Sequence, residues 1–461
     1  MNGLTSVGHY LKKHVLGQSL IRRNPVYYDP ASETLQQVET LDLAARRAFV
    51  ATQLARTLEL ARGTDYGRSV RGGDTLSSWP LLEKESLRHG LKSFVSGVDW
   101  LSVPATTGGT SGVPLKVLRS LQGIVFEQAS IDRLIRLAGA DPLTDRTAVL
   151  RGDNPRDLEI SPNPDSETTN GGRVFTMSAN AVTHISAEFV ADQLEKFQPR
   201  LLCAYPTALE TLCRYLNEAN RRLSIPAVVT SSEVFRADAW LLTERMLGAR
   251  IVDYYGQAER VAFAYATAPR EYRFSCAYSY VEFVPYDGPA LPRGTPYRLY
   301  EVVGTSYWNN VLPIVRYRTG DLIRVPASWG AAELEELSLG LRPFEGVLGR
   351  QQEIIVVPHS VRLSGLGFLP RDVPNVLRMQ LVQENFDETR IFVLPTEEFS
   401  KDDAEVLLAN ARARIPDEVS ISVEIAPRLE RTPRGKTPLI VHRPPVHDVL
   451  RRQGIEPLFT R

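Results

Sequence analysis

The run Pro104-Ala105-Thr106-Thr107-Gly108-Gly109-Thr110-Ser111-Gly112-Val113-Pro114-Leu115-Lys116 interleaves three glycines with four hydroxyl side chains. Glycine lets the backbone approach a ligand closely, so the N–H groups and hydroxyls of such a loop can surround phosphate oxygens. No Gly-Lys-Ser/Thr ends the run, so it is not the phosphate loop of P-loop nucleotidases. Taken alone, a polar surface loop accounts for it equally well. A second run, Tyr317-Arg318-Thr319-Gly320-Asp321, reads as a glycine turn that presents a carboxylate after a strand, where it can accept both hydroxyls of a ribose. By itself it is more simply a hairpin aspartate. A third, Thr432-Pro433-Arg434-Gly435-Lys436-Thr437-Pro438, sets one lysine in a Gly/Pro-bounded turn, where most lysines are merely solvated.

The elements that must position these residues show in the apolar pattern. Residues 201–204, 227–230 and 250–253 are short apolar runs separated by amphipathic stretches near 208–217 and 239–247. Strands alternating with helices of that length predict a right-handed parallel unit. Ligands of such sheets bind beyond the carboxyl ends of the strands. Tyr205, Ser231-Ser232-Glu233 and Tyr254-Tyr255-Gly256-Gln257-Ala258-Glu259 therefore become site candidates.

Residues 41–61, free of Gly and Pro with apolar returns at Ala45, Phe49, Leu54 and Leu58, predict an amphipathic helix. After Tyr272 strands are expected over 278–284, 297–303 and 314–317, with 328–337 a surface excursion. Beyond Gly349-Arg350 come strands at 354–357, 378–382 and 390–394, a helix over 402–413 and a strand over 419–425. The expected fold is mixed α/β: a large N-terminal domain of α/β subdomains plus a small β unit (1–348), a hinge at 349–353, and a small mobile α+β C-terminal domain (354–461).

Composition excludes several classes. Fifty-four Lys plus Arg balance 54 Asp plus Glu, so no excess of positive charge draws the chain to nucleic acid or an anionic membrane. Cys203, Cys213 and Cys276 are odd in number and lack metal-ligand spacing, which suits core thiols in a reducing compartment. No window approaches the ~18 apolar residues of a membrane span, and Lys12 and Lys13 precede no sustained apolar core. A cytoplasmic location is expected.

The order of the short motifs is more specific than any of them. A Gly/Ser/Thr loop, Tyr-Gly-Gln-Ala-Glu, Tyr-Arg-Thr-Gly-Asp, Gly-Arg at a domain boundary and Gly-Lys near the end together resemble the adenylate-forming ligase superfamily, over residues 104–440. Ser232-Glu233 and Ala204-Tyr205-Pro206-Thr207-Ala208-Leu209-Glu210 look like the phenylacetate coenzyme A ligase branch and its capsule-biosynthesis relatives. The resemblance implies that a carboxylate attacks the α-phosphate of ATP, giving an acyl adenylate and pyrophosphate. A thiol or amine then displaces AMP.

Carried over residue by residue, the resemblance implies that Thr107, Thr110 and Ser111 hold the β- and γ-phosphates, with Gly108, Gly109 and Gly112 giving room. It gives Glu259 to Mg²⁺, Tyr255 (with Tyr254 and Gly256 beside it) to adenine, Ser232 and Glu233 to the purine edge, and Asp321 to the ribose. Arg350 falls beside the ribose or in the hinge, Gln352 at the hinge position, and Lys436 between carboxylate and α-phosphate oxygens. His184 and Tyr205 fall toward the acyl pocket, although a structural role for His184 is slightly favoured. For Arg350 a linker salt bridge is nearly as well supported. The partners implied are a small carboxylic acid, an acceptor (coenzyme A, a carrier protein or an amine), and a second copy in a homodimer. His359, in place of a glycine-containing turn, would narrow a pantetheine tunnel, which keeps capture of the adenylate by an amine in play.

Overall fold

Strands covered on both faces read as apolar runs, and five parallel strands so covered build the centre of this protein. The computed structural model describes residues 21–97, 102–106, 115–151, 163–182, 186–286, 296–350, 355–357, 361–363, 366, 369–370, 373, 375–412, 415–430 and 437–452. A hairpin of β1 (Val103–Thr106) and β2 (Lys116–Arg119) precedes the main sheet. That sheet comprises β3 (Thr147–Leu150), β4 (Ser166–Thr169), β5 (Val174–Met177), β6 (Leu201–Ala204), β7 (Ala227–Ser231), β8 (Arg250–Gly256), β9 (Phe263–Ala266) and β10 (Arg273–Phe274). Its order is β10-β9-β8-β7-β6-β3-β5-β4, parallel from β8 to β5 and antiparallel at both margins.

Side chains alternate between two helical layers. Val228, Ile251, Leu202 and Ala204 pack with Val190 and Leu194 of the Ala187–Phe197 helix, Leu209 and Leu212 of Pro206–Glu218, and Trp240 of Ala237–Leu247. Val229, Val252, Leu201 and Ala227 face the other way, onto Phe126 and Ala129 of the Leu121–Leu137 helix and Leu35 and Val38 of Pro25–Thr40. This is a helix–sheet–helix stack, the mixed α/β class expected. Leu43–Arg62 is the helix read at 41–61; its N-terminus is capped by Asp42, whose carboxylate accepts from the Ala45 N–H at 2.8 Å.

The second sheet is antiparallel: β11 (Ser279–Pro285), β12 (Tyr297–Ser306), β13 (Tyr317–Pro326) and β14 (Val347–Arg350) in that order. Here one expectation is corrected. The strand read at 314–317 instead starts at Tyr317 and runs ten residues. Arg316 stops it from starting earlier, because its left-handed φ of 51° breaks the extended run. The stretch 328–337 does run along the surface, but it is ordered as the Ala331–Ser338 helix, whose buried end, Leu337 and Ser338, docks on β11 with Ser338 Oγ donating to the Val281 carbonyl at 2.6 Å.

Further along, β15 (Ile355–Val357) pairs with β16 (Val361–Leu363). A third sheet, in the order β19-β18-β17-β20, is made by β17 (Val376–Gln383), β18 (Glu388–Pro395), β19 (Ser420–Ile425) and β20 (Ile440–His442). It has its own core of Leu381, Ile391, Val393, Leu407 and Ile440.

The two larger sheets meet where Gly304 of β12, opposite Tyr317, lies against the backbone of Val261. A Cβ at Gly304 would collide with the Val261 carbonyl, and rigid backbone on both sides leaves no room to yield. Gly304→Ala is expected to cost about 1–3 kcal/mol of unfolding free energy in urea titration. A variant as stable as the parent would show that this junction is loose.

Candidate active site

Strand β13 organises the site through a bulge. Its register on β12 shifts between Glu301 and Val303, and Gly320 takes φ 71°, a value glycine reaches without strain. The run 317–321, expected as a turn after a strand, therefore lies inside one. Glu301, 2% exposed, holds the bulge: its Oε1 accepts the Gly320 N–H at 3.1 Å and its Oε2 accepts Arg318 Nε at 2.8 Å. Thr319 Oγ1 donates to the Val302 carbonyl at 2.7 Å and accepts the Asp321 N–H at 3.0 Å. With the backbone so fixed, Tyr317 and Asp321 both reach toward the turn after β8.

Residues 254–256, expected just past a strand end, are the last residues of β8, because antiparallel β9 extends the pairing (Tyr255 opposite Ala264, Gly256 opposite Phe263). Tyr255 donates its hydroxyl to Asp321 Oδ2 at 2.6 Å, and Gln257 Nε2 also approaches Tyr255 Oη. Gln257 Oε1 meanwhile accepts the Ala262 N–H at 3.2 Å, closing the turn. Glu259 is 8% exposed, and its Oε1 accepts the Tyr317 hydroxyl at 2.9 Å. Arg119 Nη2 donates to the Ala258 carbonyl at 2.8 Å. Arg260, at a left-handed φ of 58°, donates to the Gly123 carbonyl at 2.7 Å and pairs with Glu127 at 2.8 Å. Two arginines thus pin the Glu259 turn to β2 and the helix that follows it. Burial first, and repulsion from Arg260 second, lower the Arg119 pKa.

The neighbouring strand ends lie on the same carboxyl edge. Ser231 is opposite Tyr254, so Ser232 follows at the rim, with a left-handed φ of 75° and its Oγ 3.1 Å from Ser231 Oγ. Such backbone costs energy in a non-glycine residue and clusters at ligand sites. Glu233 is exposed. Tyr205 heads the Pro206–Glu218 helix, its N–H on the Leu150 carbonyl at 3.1 Å. Arg350 is opposite Asp321 in the β13–β14 register.

The structure thus brings Tyr255, Glu259, Asp321 and the Arg350 backbone together, with Ser232, Glu233, Tyr205 and Tyr254 along the same edge. Thr107, Gly108, Gly109, Thr110, Ser111, Gly112, Asp153, His184, Gln352, His359 and Lys436 lie outside the described residues. Sequence reasoning missed Tyr317 and Gln257 as partners of the two carboxylates, along with Arg119, Arg260 and Arg151. Their tasks depend on residues far away in the chain.

One carboxylate with an oxygen to spare suits Mg²⁺, which is commonly held by one or two carboxylates plus phosphate oxygens. Glu259 offers Oε2 beside the oxygen that Tyr317 occupies. Among the described residues no cluster of three or more His, Cys, Asp or Glu forms a metal cage, and no helix is long and apolar enough to cross a membrane.

No family model matches the chain. It is 19% identical over 383 residues to Protein CapK of Staphylococcus aureus, covering 78% of this chain and 79% of that protein. It is 25% identical over 296 residues to the phenylacetate-coenzyme A ligase of Escherichia coli strain K12, covering 61% of this chain and 63% of that enzyme. Among solved structures, 2-hydroxyisobutyryl-CoA ligase in the postadenylation state with R3-HIB-AMP matches with a TM-score of 0.58 at 14% identity, covering 90% of this chain and 93% of that one. The same fold is shared with its complex with 2-HIB-AMP, at a TM-score of 0.57.

Behind the edge, Asp253 is 3% exposed and accepts the Thr230 hydroxyl at 2.5 Å and the Tyr272 hydroxyl. Burial pushes its carboxyl up to about 6, against those hydrogen bonds. A native value above the unfolded one means the folded protein holds this proton more tightly. The group's contribution is fully present below about pH 4 and is lost as pH rises through about 6. Relative to the parent, Asp253→Asn should gain about 1–3 kcal/mol of unfolding free energy between about pH 4.5 and pH 7.5. A pH-independent difference in urea titrations would show that Asp253 titrates as an ordinary carboxylate.

Proposed function

We propose that the chain is a member of the adenylate-forming ligase superfamily, as its likeness to those relatives supports, and that it uses ATP to activate a carboxylic acid as an acyl adenylate, releasing pyrophosphate, and then passes the acyl group to a thiol such as that of coenzyme A or a carrier protein. The observation that carries this reading is the double reach of β13. Residues four apart on one bulged strand engage Tyr255 through Asp321 and Glu259 through Tyr317. A ribose-binding carboxylate and a cation-binding carboxylate are thereby held at a fixed separation, which is what a nucleoside triphosphate spanning them requires.

In this reading Asp321 accepts the ribose hydroxyls while Tyr255 flanks adenine, and Ser232 and Glu233 follow the purine edge. Thr107, Thr110 and Ser111 donate to the β- and γ-phosphates, and Glu259 holds Mg²⁺, which neutralises phosphate charge when bound. Lys436 bridges the attacking carboxylate and the α-phosphate, stabilising charge that grows in the transition state. The zero formal charge of the chain makes these local groups the means of holding ATP. Residues 354–461 act as a lid that turns about Arg350 and Gln352, first to adenylate and then to admit the acceptor. The body is 1–348.

Pyrophosphate release across a panel of carboxylic acids tests the first step, and absence of turnover with every acid beside intact ATP binding would sink it. Lys436→Ala should lower the adenylation rate by roughly 100-fold or more while ATP affinity stays within a few-fold. Equal loss of both contradicts the role given to Lys436. Asp321→Ala should weaken ATP binding by about tenfold or more, and an unchanged affinity would remove the ribose contact. Trapping the adenylate with hydroxylamine, then adding coenzyme A to a parallel reaction, separates a thiol acceptor from an amine.

A further inference from the structure

One partly buried cation at the carboxyl edge has no task in this reading. Arg151 immediately follows β3, in the middle of the sheet. Its Nη2 donates to the Val229 carbonyl at 3.1 Å, its guanidinium lies 5.8 Å over the Tyr254 ring, and its Nε is buried without a hydrogen-bond partner. Among the described residues no carboxylate forms an ion pair with it.

Asp253 is next to Tyr254 in sequence but serves the opposite face. Strand alternation sends Tyr254 toward the Leu121–Leu137 helix, whereas the Asp253 carboxylate is taken by Thr230 and Tyr272. Tyr254, Tyr205 and Cys203 are the groups nearest Arg151, and the Asp253 carboxylate lies close enough to feel its charge without forming an ion pair. Burial pushes the Cys203 thiol up, away from its charged form. A guanidinium does not give up its proton in a protein, so Arg151 stays charged at this edge. The Nε left without a partner is costly, and the planar fork matches an oxyanion in two-point contact.

We propose that Arg151 receives a second anionic group of the acid, so that the substrate carries an oxyanion, in the simplest case a second carboxylate, besides the carboxyl that is activated. Edge position supports this, since ligands of parallel sheets sit beyond the strand ends, and the Tyr254 ring lies against the guanidinium there. The proposal rests on the acid-activating reading above and adds to it the class of acid.

Matched pairs of acids test it in the full-length protein: butyrate against succinate, pentanoate against glutarate, benzoate against isophthalate. In at least one pair the diacid should show about tenfold or higher kcat/KM for pyrophosphate release, and Arg151→Gln should abolish that preference while leaving the monoacid within about threefold. Arg151→Lys, which keeps the charge, should retain part of the preference and covers the case in which Arg151→Gln does not fold. Calorimetric binding of the same acids separates this inference from the ligase reading. Diacid binding that Arg151→Gln removes, in a protein that releases no pyrophosphate, would uphold Arg151 and sink the ligase. A parent that prefers monoacids or treats each pair alike, or an Arg151→Gln variant that loses both members equally, would overturn the proposal.

Discussion

Three carboxylates surround the end of β8 almost out of water, and each is held by a tyrosine hydroxyl. Tyr317 donates to Glu259, Tyr255 to Asp321 and Tyr272 to Asp253. A buried carboxylate needs donors, and a cationic partner would have been the stronger choice. A guanidinium, however, would have cancelled the charge and filled both oxygens. A phenol satisfies one lone pair and leaves the negative charge in place, so Glu259 keeps its pull on a cation and Asp321 keeps its capacity to accept hydroxyls. Arginines are used one step back. Arg318 ties Glu301 under the bulge, and Arg119 and Arg260 pin the backbone on either side of Glu259.

This arrangement explains what could be read from sequence and what could not. The parallel unit from β6 to β8 was legible because both faces of those strands are covered, which writes the pattern as apolar runs. The 402–413 helix was legible for the same kind of reason: its period is local. Strand β13 was not, because Gly320 at a positive φ has the composition of a turn while Glu301, on another strand, supplies the bonds that keep it extended. Arg316 shows the converse, an ordinary residue in a left-handed conformation that ends the apolar run read as a strand.

The site divides along the same line. Residue types were legible from motif order, since Glu259, Asp321 and Tyr255 stand in short runs whose succession is specific. Their contacts were not. Tyr317 belongs to one of those runs yet acts 58 residues away in sequence on Glu259, and Gln257 braces Tyr255 while closing the turn with Ala262. Arg151 carried no signal at all. An arginine after a strand is ordinarily a solvated residue, and only the sheet order, which places β3 between β5 and β6, brings it to the middle of the edge.

The period-two alternation of β8 then gives the site its two sides. Tyr255 and Asp253 point to the layer that holds Thr230 and faces β13, so that face collects the hydroxyl-bound carboxylates and negative charge. Tyr254 points to the opposite layer with Cys203, and over it lies the Arg151 guanidinium. A parallel strand whose register is fixed on both sides cannot slip, because a shift of one residue would exchange the two faces entirely. The alternation therefore keeps the Arg151 guanidinium from forming an ion pair with Asp253, whose oxygens are taken by Thr230 and Tyr272 on the other face. A chain with no net charge can in this way carry carboxylates on one face and a guanidinium on the other, within the width of a single strand.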